Sequence, residues 1–117
     1  NRKLRRAAAA RQTGPVTPKS SLGVPDLFVQ AVQFHQAGRL GEAEQHYRQA
    51  LAIDPRHAGS LHLLGVVAHQ GGRPDLAVGL IGQAISINGN AAGFHASLGA
   101  ALRAQGQSED AAASYRK

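Results

Sequence analysis

Cysteine is absent from the 117 residues, which removes disulfide frameworks, thiolate nucleophiles and thiolate zinc sites together. Tryptophan is absent as well and aromatic residues make up only 4% of the chain. Apolar burial must therefore come from Leu, Ile, Val and Ala at close range, a mixture that suits tightly packed helices. No window approaches the roughly 20 consecutive apolar residues that a membrane-spanning helix needs. Acidic residues are missing from the first twenty positions, which hold Arg2, Lys3, Arg5, Arg6, Arg11 and Lys19. Residues 21–117 hold seven basic and seven acidic side chains, so the net charge of +6 belongs to the start of the chain.

That start reads as a flexible basic leader over residues 1–23. Gly14, Pro15, Pro18, Ser20, Ser21 and Gly23 break helices and bury little. Ala7 to Ala10 is too short an apolar stretch for a secretory signal, and Arg5-Arg6 lacks the apolar run of a twin-arginine signal. Such a leader could meet the phosphates of a nucleic acid or an anionic membrane surface, but it lacks interleaved aromatics and charged tails are common, so nucleic acid is not the expected partner.

From Val24 onward the sequence repeats itself every 34 residues. Gly38, Gly72 and Gly106 fall in register, as do Ala43, Ala77 and Ala111, and Tyr47, Ile81 and Tyr115. Leu64-Gly65 matches Leu98-Gly99, and Gln49 to Leu51 matches Gln83 to Ile85. A unit of this size accommodates two helices and two turns, and stacked units bury one continuous core. Within the second unit Leu61, Leu64, Gly65 and Ala68 recur at helical spacing, then Leu76, Ala77, Leu80, Ile81 and Ala84 do so after Gly71-Gly72. Pro74 and Asp75 suit a helix start, and Asp54-Pro55 suits a helix end. The spacing predicts helices over 26–37, 40–53, 58–71, 74–87, 92–105 and from 108 onward. Gly65, Gly99, Ala43, Ala77 and Ala111 mark places where paired helices approach too closely for a bulky side chain.

The Leu-Gly pairs, the glycine before each second helix, and the Ala43, Tyr47, Ala50, Pro55 series resemble the tetratricopeptide repeat. The resemblance spans residues 24–117, as repeats at 24–57 and 58–91 and an incomplete one at 92–117. It implies an all-α fold, a right-handed α-solenoid of antiparallel helix pairs whose first helices line a concave groove. The groove positions it implies are Phe28, Val32, His35, Gln36, His62, Val66, His69, Gln70, Ala96, Ala100 and Arg103. His62, Val66 and His69 do form a stripe separate from the core stripe at Leu61, Leu64 and Ala68. His35, His69 and Arg103 share a register position and would make a ladder of donors, suited to a peptide with acidic or carbonyl-rich spacing. The segment at 92–99 is also similar to repeats preceding the catalytic region of bacterial O-linked N-acetylglucosamine transferase-like proteins. Flanking its Leu-Gly pairs, this chain carries Leu63, Val66, Ser97 and Ala100 where those repeats often have asparagines.

The six histidines invite a metal reading, which the spacing does not favour. His62 and His69 lie about 10 Å apart along a helix, too far for one ion at about 2 Å from each. Glu42 and His46 share a face, but two ligands do not make a site. Ser60 and Ser97 lack the strained glycine-flanked turn of a serine nucleophile. The sequence thus calls for no catalytic residue, metal or cofactor. It points to a cytoplasmic module that binds a protein or peptide partner. The alternative is the substrate-selecting repeat region of a larger glycosyltransferase or methyltransferase. The third unit stops before its last turn, and a solenoid needs capped ends, so self-association through the C-terminal end is expected.

Overall fold

The computed structural model describes residues 22–115 along the backbone and side chains through residue 109. The leader, apart from Leu22 and Gly23, lies outside the described residues. Five helices follow one another: α1 (Val24–Gln36), α2 (Leu40–Ile53), α3 (Ala58–Gln70), α4 (Pro74–Ile87) and α5 (Ala92–Tyr115). No strand occurs among the described residues. α1 packs on α2 and α3 on α4 as antiparallel hairpins, and α2 and α4 in turn pack on α3 and α5, which makes an α-solenoid.

The two hairpin turns are copies of each other because both rest on a glycine in left-handed conformation. Gly38 and Gly72 each have φ of +80°, which a Cβ would penalise. Arg39 N–H donates to Phe34 C=O at 2.9 Å and Gly38 N–H to His35 C=O at 3.0 Å. Arg73 N–H to Ala68 C=O at 2.8 Å and Gly72 N–H to His69 C=O at 3.1 Å repeat the pair. These bonds satisfy carbonyls that the helix ends would otherwise leave open.

The turns between repeats converge by different residues. Asp54 Oδ1 accepts from Arg56 N–H at 3.0 Å, and Asn88 Oδ1 accepts from Asn90 N–H at 3.3 Å. An aspartate or asparagine side chain closes the same local turn, so Gly89 can stand where Pro55 stood. At the start of α3 the cap is a histidine. His57 Nδ1 accepts from Ser60 N–H at 3.2 Å, and the buried Ser60 hydroxyl donates to it at 2.7 Å.

The core is a chain of small contacts. Ala31, Ala43, Tyr47, Leu64 and Val67 form one buried cluster, and Ala68, Ala77, Ile81 and Ala101 form the next. Burying a side chain such as Leu64 or Ile81 contributes about 1.5 to 3 kcal/mol. The alanines contribute by letting backbones come close. Gly65 is the tightest point: a Cβ built there would lie 2.6 Å from Ile81 Cγ1.

The third unit departs from the sequence expectation. Helices over 92–105 and from 108 onward are one continuous helix of 24 residues, α5. Gly106 lacks the positive φ of Gly38 and Gly72, and so makes no turn. The physical reason is that a glycine permits a left-handed cap without imposing one. α4 is held against both α3 and α5, whereas no later described helix stands beside the second half of α5. Continuing the helix keeps every backbone bond at no packing cost.

Candidate functional site

The first helices of the three repeats, α1, α3 and the first half of α5, are neighbours, and two hydrogen bonds tie them side by side. His35 Nε2 lies 2.8 Å from Gln70 Oε1 and joins α1 to α3. The amide oxygen can only accept, so Nε2 carries a proton, and in the neutral ring Nδ1 accepts from the Tyr47 hydroxyl at 3.2 Å. His62 Nε2 shares a hydrogen bond of 2.8 Å with Ser97 Oγ and joins α3 to α5. The His62 ring also lies against Phe94, with centroids 4.6 Å apart. Burial pushes the His62 pKa below its ordinary value.

These bonds sort the eleven groove positions expected from the sequence. Phe28 is a wedge between repeats, packing on Tyr47 at 6.0 Å and edge-on to His57 at 5.1 Å between centroids. Val32 is half-buried against the first core cluster. His35 and His62 have their rings engaged across the row, as described. Val66, His69 and Ala100 are half-buried, while Gln36, Gln70, Ala96 and Arg103 are exposed. The structure does not join His35, His69 and Arg103 by contact: His35 is turned to Tyr47 and Gln70 instead.

Phe94, Ser97 and Tyr47 are the partners that sequence reasoning missed. The signal was an offset of one residue, since both cross-helix bonds join residues 35 apart rather than 34. Ser97 lies inside α5, without the strained exposure of a nucleophile. Among the described residues, no group of three or more His, Asp or Glu side chains could hold a metal ion. No described helix is long and apolar enough to cross a membrane.

On the opposite side, Glu44 joins two repeats. Its carboxylate accepts from Arg48 at 3.0 Å within α2 and from Arg73 at 3.3 Å across the turn into α4. The arginines are about half-exposed and Glu44 less so, and each pair contributes about 0 to 1 kcal/mol.

A protein-family model described as tetratricopeptide repeat matches residues 34–96, more than half of the chain. The chain belongs to the tetratricopeptide repeat family. It is 41% identical over 76 residues to human tetratricopeptide repeat protein 7B, covering 65% of this chain and 9% of that protein. It is 42% identical over 67 residues to the mouse protein of the same name, covering 57% of this chain and 8% of the other. The chain thus spans less than a tenth of the length of these curated relatives. The crystal structure of MamA protein is similar in fold, with a TM-score of 0.71 at 18% identity over 96% of this chain and 60% of that one.

Repeats of this family mediate contacts between proteins. The fold here is the ordinary repeat with its third hairpin drawn out straight.

Proposed function

We propose that the chain is a protein-interaction module that holds an extended peptide or a helix of its partner along the row formed by α1, α3 and the first half of α5. The observation that carries this reading is the pair of bonds His35–Gln70 and His62–Ser97, which join three successive first helices. A surface fixed before binding loses less conformational entropy when the partner docks. Along it, Gln36, Gln70 and Arg103 present donors, Gln36 and Gln70 also acceptors, while Val66 and Ala100 supply half-buried apolar contact. His35 is a positioning residue that sets Gln70, and His69 and Arg103 remain the donors of the register ladder. Such a surface suits a partner segment with acidic or carbonyl groups repeated along its length. We place the module in the cytoplasm, a compartment that its cysteine-free sequence permits.

The test is a variant carrying Gln36→Ala, His69→Ala and Arg103→Ala. Its affinity for a partner segment isolated by affinity capture should fall at least tenfold, with a melting curve close to that of the parent. Unchanged affinity in a folded triple variant would refute the assignment.

The brief coverage of the curated relatives favours a second arrangement, in which the repeats are one part of a longer protein. In that form they would select substrates for a glycosyltransferase or methyltransferase unit. Reading the gene beyond Lys117 separates the two.

A further inference from the structure

The two joints between repeats close in the same way but carry different chemistry. At the first, Asp54 is followed by Pro55, whose nitrogen has no hydrogen. At the second, Asn88 is followed by Gly89, and both are exposed. Asparagine before glycine is well suited to closing a five-membered imide, because the glycine nitrogen carries a proton and no Cβ shields it. Among the described residues, nothing accepts from Gly89 N–H.

The turn holds the reacting atoms apart. Asn88 has ψ of 89°, which sets Gly89 N nearly opposite Cβ about the Cα–C bond, whereas ring closure needs the two on the same side. Asn88 Oδ1 is engaged by Asn90 N–H at 3.3 Å. His95, in the first turn of α5, donates from Nε2 to Gly89 C=O at 2.9 Å and so fixes the next peptide plane. On the other side Asn88 N–H donates to Ala84 C=O at 2.9 Å, which ties the joint to the end of α4. The imide can form only when this joint opens, and local opening of an exposed turn costs less than unfolding the chain. An aspartate product fits the same turn, since Asp54 Oδ1 closes the first joint by accepting from Arg56 N–H at 3.0 Å.

We propose that the joint between the second and third repeats is a site of spontaneous deamidation at Asn88, held in check by the His95 clamp on Gly89. Gly89 N, deprotonated by hydroxide, attacks Asn88 Cγ; the Cγ–Nδ2 bond breaks, and ammonia leaves with a proton taken from water. Water then opens the imide. Addition at Cγ gives aspartate. Addition at the main-chain carbonyl gives isoaspartate, in which the chain runs through Cβ and Cγ and is longer by one atom. Either product places a new carboxylate between α4 and α5, and the isoaspartate form also shifts α5 relative to α4. This modification does not depend on the groove reading above.

Peptide mass spectrometry of the whole chain, held at mildly alkaline pH natively and in urea, follows conversion of Asn88 to acid. Asn90, followed by Ala91, is the internal comparison. Asn88 should convert ahead of Asn90 in both samples, and about tenfold or more slowly in the native chain than in urea. His95→Ala should raise the native rate several-fold and leave the rate in urea unchanged, with a melting curve close to that of the parent. Gly89→Ala should slow conversion in urea, and it should fold, since its Cβ would meet only the Ile85 carbonyl at 3.5 Å. A native rate equal to that in urea would overturn the proposal. So would a native chain still intact after the urea sample has converted, or a folded His95→Ala chain that converts no faster than the parent.

Discussion

Replacing Gly65 by alanine sets two effects against each other, and the structure decides which prevails. Alanine in place of glycine within a helix gains up to about 1 kcal/mol from backbone entropy. The new methyl would fall 2.6 Å from Ile81 Cγ1 and 3.3 Å from the Ala77 carbonyl. Neither is the free end of a flexible chain: Ile81 is 1% exposed, and the carbonyl belongs to the α4 backbone. The hairpin must therefore open, at an overpacking cost of about 1 to 3 kcal/mol. Net destabilisation of up to about 2 kcal/mol should result, a fall in Tm of roughly 4 to 8 °C per kcal/mol for a domain of this size. Urea and thermal unfolding followed by far-ultraviolet circular dichroism would measure it. Gly79→Ala and Gly82→Ala are the controls, since their Cβ positions meet nothing within 4 Å and both should stabilise. In an Ile81→Ala background the Gly65→Ala penalty should shrink, giving a negative coupling energy. A Gly65→Ala chain more stable than the parent would refute the close-approach account.

The three register glycines should respond differently to alanine: at Gly38 and Gly72, with φ of +80°, it should cost about 1 kcal/mol or more, whereas at Gly106 it should stabilise α5 by up to about 1 kcal/mol. Equal losses at all three would show that Gly106 is a turn. Burial raises the Tyr47 pKa to about 12 from 10.0, so the unfolded chain releases this proton first; stability should fall by up to about 3 kcal/mol as pH rises from about 10 to 12, and Tyr47→Phe should remove that loss. His62 shifts the other way. Its folded pKa lies below the unfolded 6.5, so stability present above that value is lost as pH falls through it, and His62→Gln should flatten this limb of a pH-melting series.

Much of the fold was legible because the residues that define it act locally. Gly38, Gly72, Pro74 and Asp54 set helix ends through their own backbone chemistry, and the expected ends of α2 and α4 coincide with those found. Gly106 misled because identity of residue is not identity of conformation: only packing of a second helix would make the left-handed turn worth forming. The binding row was less legible. A shared position every 34 residues placed His35 with His69, yet contact between neighbouring first helices runs to residue 70, one further along. One residue turns a side chain by about 100° around a helix, which is enough to change its neighbour. The pairing of His62 with Ser97 and Phe94 was hidden for the same reason.

Hydrogen exchange of the chain with and without its isolated partner segment tests the central claim most directly. Binding along the first-helix row should slow exchange in α1, α3 and residues 92–105 of α5, and leave α2 and α4 near their unbound rates. Slowing confined to α2 and α4, around Glu44 and Arg73, would contradict it.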